Sequence, residues 1–83
     1  MENIDKKLRK LGYTLQPVPF YIRYTKDEHQ VDLRDSAEGV VVTVSIADLY
    51  SSFYVEYVDL EEGITCCLKS IKEKHESTIS GII

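Results

Sequence analysis

The run Val40-Val41-Val42-Thr43-Val44-Ser45-Ile46 is almost entirely β-branched. Side chains of that shape are stiff at χ1 and fit a pleated surface better than a helix. Alternation sends Val40, Val42, Val44 and Ile46 to one face and Val41, Thr43 and Ser45 to the other. Apolar residues on both sides predict a central strand with neighbours at both edges.

The remaining periodicities arrange themselves around it. Ile4, Leu8 and Leu11 recur at i, i+4 and i+7 between Asn3, a capping residue, and Gly12, a C′ glycine, and so predict a helix over residues 4–11. Residues 13–19 read as a connector, because Pro17 and Pro19 hold their neighbours extended. A first strand is expected over 20–25, with Phe20, Ile22 and Tyr24 facing inward, and a second over 29–34, with Val31 and Leu33 inward. Residues 47–52 read as a loop or a single helical turn, and a fourth strand is expected over 53–58, with Phe53, Val55 and Tyr57 on its inner side. Asp59 and Glu62 have capping-box spacing. The stripe Leu60, Ile64, Leu68, Ile71 and His75, joined by Cys67, predicts a helix over 60–76, weakened at Gly63 by about 1 kcal/mol relative to alanine. Residues 77–83 are expected as a tail whose Ile79, Ile82 and Ile83 pack on the body or on a partner. The expected fold is α+β: one domain over 1–83 in two layers, a four-stranded antiparallel sheet with an N-terminal and a C-terminal helix.

Length narrows the options. An 83-residue chain has a thin core. Cys66 and Cys67, the only cysteines, are adjacent, and a bridge between them would be strained and close no loop. Reduced thiols, with neither a signal peptide nor an apolar run of membrane length, point to the cytoplasm.

Charge changes the picture more. The net charge is −4, but residues 1–26 carry +4, residues 27–62 carry −9 and residues 63–83 carry +1. The middle segment sets ten acids against Arg34 alone. Such a surface repels phosphate, which argues against a nucleic-acid ligand even though the strands carry aromatics.

Catalytic and cofactor chemistry finds little purchase. His29 and His75 are the only histidines; Cys67 and His75 align on the second helix, but two ligands do not close a metal site. The acid pairs Asp27-Glu28 and Glu61-Glu62 fall in a turn and a helix first turn, where carboxylates are solvated or capping. The four glycines are isolated, with no phosphate-cradling loop. The expectation is a protein that is not an enzyme and carries no cofactor or metal. Tyrosine is the unusual residue, six against two phenylalanines and no tryptophan, and tyrosine suits surfaces where one end of the ring is dry and the other wet. The open sheet face is expected to present Tyr21, Arg23, Val41, Thr43, Tyr54, Glu56 and Val58.

Leu11-Gly12-Tyr13 followed by Tyr21-Ile22-Arg23-Tyr24, a charged turn, further strands and an Asp-capped helix resembles small α+β accessory proteins of phages and prophages. The likeness lies in the layout and in about seven letters, and the twin prolines and the Cys-Cys pair depart from it. It implies a mobile-element origin, a setting that includes inhibitors of host defence such as anti-CRISPR proteins. The functional expectation is an acidic inhibitor or adaptor that binds a basic protein surface through Asp27, Glu28, Asp32, Asp35, Glu38, Tyr21, Tyr54 and Glu56, with the five acids from Asp27 to Glu38 projecting from one sheet end. The alternative is a homo-oligomeric structural or regulatory component, a homodimer for instance, associating through the sheet face and the apolar tail. A merely solubilising surface accounts for the same charges.

Overall fold

The computed structural model describes the backbone of residues 2–82 and the side chains of residues 3–74. The order is α1 (Glu2–Lys10), β1 (Thr14–Gln16), β2 (Ile22–Lys26), β3 (His29–Ser36), β4 (Gly39–Ile46), β5 (Leu49–Tyr54) and α2 (Leu60–Ile82). The strands form one antiparallel meander in sequence order, β1-β2-β3-β4-β5, five strands where four were expected. Both helices pack on one face of it.

Three two-residue turns, Asp27-Glu28, Ala37-Glu38 and Ala47-Asp48, close successive hairpins at Lys26↔His29, Ser36↔Gly39 and Ile46↔Leu49. The last of these corrects the expected fourth strand over 53–58. Ala47 takes φ 55°, so the chain reverses with no glycine or asparagine to mark it, and β5 starts four residues early. Val55 to Val58 then form the turn into α2, with Tyr57 and Val58 N–H both donating to Tyr54 O. Tyr57, expected inward, is exposed.

The additional strand, β1, lies in the expected connector. Thr14-Leu15-Gln16 has too short an alternation to read, and its pairing with Arg23–Thr25 is what makes it a strand. At β2 the expected start fails by two residues. Phe20 sits at φ 74° and is fully exposed, so it does not face the helices.

The core follows the β-branched alternation. Val31, Leu33, Val42, Val44 and Tyr24 bury against Leu8 of α1 and Leu60, Ile64, Cys67 and Ile71 of α2. Val40 and Ile46 pack on the same cluster, so the inner face of β4 is the one its alternation names. The end of α1 is a Schellman motif: Tyr13 N–H donates to Leu8 O at 2.9 Å, Gly12 N–H to Arg9 O at 3.0 Å, and Gly12 holds φ 97°. Leu8 and Tyr13, the two side chains such a motif brings together, are both buried. Asp59 precedes α2 and its carbonyl accepts Gly63 N–H at 2.7 Å, while its carboxylate turns to Lys7 Nζ at 3.5 Å instead of bonding back along the helix. α2 runs on through Ile82, beyond the expected end at residue 76. The side chains of His75, Ile79, Ile82 and Ile83, and so the expected burial of the tail, lie outside the described residues.

Candidate functional site

A meander sends its turns alternately to opposite ends of the sheet. One end, here the twin-turn end, carries Asp27-Glu28 and Ala47-Asp48. The other, the proline end, carries residues 17–21, Ala37-Glu38 and residues 55–59. β3 separates them by seven residue steps, about 24 Å at ~3.4 Å each. The expectation that Asp27, Glu28, Asp32, Asp35 and Glu38 project from one sheet end is therefore corrected. Asp27 and Glu28 stand at the twin-turn end, Asp35 and Glu38 at the proline end, and Asp32 in mid-strand between them.

Asp32 is also not a free charge. The register places Gln16, Arg23, Asp32, Thr43 and Ser52 in one row on the open face. Arg23 Nε donates to Asp32 Oδ1 at 2.9 Å and its Nη2 donates to Tyr21 OH at 3.0 Å, while Gln30 Nε2 donates to Asp32 Oδ2 at 3.2 Å. The Asp32 carboxylate pushes the Arg23 pKa upward. Thr43 and Ser52 share a hydrogen bond of 2.9 Å in the same row. The middle of the open face is thus a satisfied polar network, neutral across its one ion pair.

The proline end is different. Tyr54 shares its row with Arg34 and Val41, and its ring meets Tyr57 edge-on at 6.1 Å between centroids. Tyr21, at 45% exposure, precedes β2 at this end and lies under the Arg23 guanidinium, 4.7 Å from its ring centroid. Glu56 leans over the Gly39 backbone: a Cβ built at Gly39 would lie 2.9 Å from Glu56 Cγ. That packing sets Glu56 over the residue that follows Glu38, while Asp35, in register with Val40, stands at the same end of the sheet but on its helix-facing side. All three acids are exposed, and none is in an ion pair among the described residues.

Of the eight residues expected to bind a partner, Asp35, Glu38, Tyr21, Tyr54 and Glu56 gather toward the proline end, whereas Asp27, Glu28 and Asp32 do not. Glu56 and Val58 lie in the turn after β5 rather than on the sheet face. Two exposed aromatics of this end escaped the sequence reading, Phe20 at 100% and Tyr57 at 74% exposure. Strand alternation assigned both inward, and the signal against it for Phe20 was the adjoining Pro17-Val18-Pro19, which ends β1 and displaces the start of β2.

Two further acids of the middle segment, Asp59 and Glu61, face the basic helix. Asp59 pairs with Lys7, and Glu61 lines a shallow groove with Lys7 and Lys10. Cys66 is exposed and Cys67 buried, both free. Among the described residues, no three His, Cys, Asp or Glu side chains converge as metal ligands, and no helix is long and apolar enough to cross a membrane. Comparison with family models, with curated proteins and with solved structures finds no match to this chain.

Proposed function

We propose that this chain is a small, acidic, non-catalytic binding protein that docks its proline end on a positively charged surface of a nucleic-acid-processing protein. The observation that carries the reading is Phe20. A bulky residue at positive φ costs about 1–3 kcal/mol, and a fully exposed phenyl ring recovers none of it within the chain. A partner pocket that buries the ring would offset that cost, since aromatic anchors near the centre of an interface supply most of its energy. Asp35, Glu38 and Glu56 at the same end supply the complementary charge. Rim charges of one sign steer encounter with a basic partner and disfavour wrong ones. A basic groove built for phosphate is such a partner, and covering it would inhibit its owner. An inhibitor of host defence, phage-borne and working in the host cytoplasm, is the form of this function that the sequence resemblance suggests.

The two acidic ends make the test selective. Once the partner is captured, its association rate is measured with wild-type protein, with Asp35, Glu38 and Glu56 reversed to lysine, and with Asp27, Glu28 and Asp48 reversed. The proline-end triple is expected to associate at least several-fold more slowly at low salt, with the difference vanishing near 1 M, where the Debye length is about 3 Å. Phe20→Ala is expected to speed dissociation. Equal slowing by both triples, or no salt dependence, overturns the proposal and leaves the charges a solubilising role.

A further inference from the structure

We propose that the outer edge of β5 takes up an extended, basic segment of the partner as a further antiparallel strand. The inference rests on the basic partner proposed above and says how part of it is held.

The hydrogen-bonding phase of β5 decides which of its peptide groups are left over. A two-residue hairpin makes its flanking residues, Ile46 and Leu49, a mutually bonded pair, and every second pair after it repeats the pattern. Ser51 and Phe53 therefore direct their N–H and C=O at β4. Val55 keeps the same phase, its N–H donating to Val40 O at 3.1 Å. Tyr50, Ser52 and Tyr54 point theirs away from the sheet. Two of those groups are occupied: Tyr54 O accepts from Tyr57 and Val58 N–H, and Tyr50 O accepts from Lys74 Nζ at 3.4 Å. Among the described residues, Ser52 O and the N–H groups of Tyr50, Ser52 and Tyr54 have no partner.

The two edges of the sheet are finished differently. β1 turns only Leu15 outward before Pro17, and Val18 N–H folds back on Gln16 O at 3.0 Å. Proline and short length protect an edge against further pairing. β5 has six residues with no proline, no charge and no bulge. It is the edge that can be extended, and strand addition is a recurrent mode of peptide capture.

Charge and hydrogen bonding select the occupant. Asp48 precedes the edge and Glu56 follows it, both exposed and neither in an ion pair among the described residues. A second β5 aligned symmetrically about Ser52 sets Asp48 against Glu56 at both ends, and like charges directly opposite are destabilising. It also offers Tyr50 N–H a Tyr54 carbonyl that already accepts two bonds. A strand with lysine at its ends meets opposite charge instead and brings free carbonyls of its own. Its side chains on the open face lie beside Tyr50 and Tyr54, with the small Ser52 between them.

NMR titration of the full chain with acetyl-Lys-Val-Thr-Val-Thr-Val-Thr-Val-Lys-amide tests this. Methylating the backbone nitrogen of every valine leaves the peptide one hydrogen-bonding edge, and methylating every threonine as well leaves it none. The first peptide is expected to shift the Tyr50, Ser52 and Tyr54 amide resonances saturably, and the second to bind at least several-fold more weakly. Ser52→Pro removes the central outward donor without touching the ladder to β4. It is expected to keep the far-UV circular dichroism spectrum and to lose the peptide; if it does not fold, the two peptides decide. Unmoved resonances, or equal binding of the two peptides, overturn the proposal. Equal binding of a form with glutamate at both ends overturns it as well. Broadening of the same three amides with protein concentration alone would place a second copy at this edge and overturn it too. None of these measurements involves Phe20, Asp35 or Glu38, so failure here leaves the proline-end reading to its own test.

Discussion

Tyr24 shows how a single side chain ties layers together. Its ring is buried in the core while its hydroxyl donates to Asp5 Oδ1 on α1, and Asp5 also accepts from Arg9 Nε at 3.0 Å. Burial, then the bond to Asp5, pushes the Tyr24 pKa up to about 12, and the Tyr24 hydroxyl, then Arg9, holds Asp5 below its ordinary value. A raised tyrosine pKa gives stability that is complete below the unfolded value near 10 and is lost as pH rises through about 12. A lowered carboxyl pKa gives stability present above the unfolded value near 3.8 and lost as pH falls through the folded one. Tyr24→Phe is therefore expected to raise the Asp5 carboxyl pKa in an NMR titration and to remove the alkaline step from the stability profile. An unmoved Asp5 titration would mean that Arg9 alone sets its pKa. Ala47 offers a cleaner backbone test. Its φ of 55° is left-handed. That conformation costs an L-residue about 1–2 kcal/mol. Glycine avoids the cost but gives back roughly 0.5–1 kcal/mol in unfolded-state entropy. The strain relief is the larger effect, so Ala47→Gly is expected to raise the denaturant midpoint modestly with an unchanged m-value, and a lower midpoint would contradict it.

Between elements, Gly63 shows local propensity yielding to packing. Glycine in the first turn of α2 sacrifices about 1 kcal/mol of helix propensity. The reason lies on β5: a Cβ at position 63 would stand 2.3 Å from Phe53 Cε2 and 2.4 Å from Cζ, so the Phe53 ring lies flush against the helix backbone. Phe53 stands on the edge strand β5, paired with Val42 and packed against the core cluster. Overpacking of this kind costs about 1–3 kcal/mol, which exceeds the propensity gain. Gly63→Ala is expected to destabilise the protein by roughly 1 kcal/mol, and pairing it with Phe53→Leu should recover part of the loss. Additivity in that double-mutant cycle would show that the two positions are uncoupled. The same scale explains what the sequence reading missed among the strands, the whole of β1 and the first four residues of β5. β1 is three residues without a usable period, and β5 begins behind an alanine turn, so cross-strand pairing defines both.

At the scale of the whole molecule, the meander sets both the stability gradient and the placement of charge. β3 and β4 have strands on each side and hold Val31, Leu33, Val42 and Val44, all at most 3% exposed. β1 is a three-residue edge with Leu15 at 42% exposure. Amide exchange is expected to be slowest at those four core positions and fastest in β1, which opens without disturbing the helices. Comparable protection in β1 and β4 would mean that the sheet opens only as one unit. Alternating turns also divide the anionic segment. A charge of −9 over residues 27–62 looks like one patch along the chain, but it becomes two remote clusters, a neutralised pair in mid-sheet and a set of counter-charges to α1.

What could be read without coordinates rests on short-range physics. β-branched alternation named the inner face of β4, the 3.6-residue stripe named both helices and the buried side of α2, and Gly12 marked the end of α1 because only an αL residue closes a Schellman motif cheaply. Each depends on residues a few positions apart. The neutralisation of Asp32 by Arg23 depends instead on β2–β3 register, and the exposure of Phe20 on where β2 starts to pair. The place of Gly63 depends on a ring delivered by β5, and the end to which each acid projects on how many times the chain has reversed before it. Those are properties of neighbours distant in sequence, and no local pattern carries them.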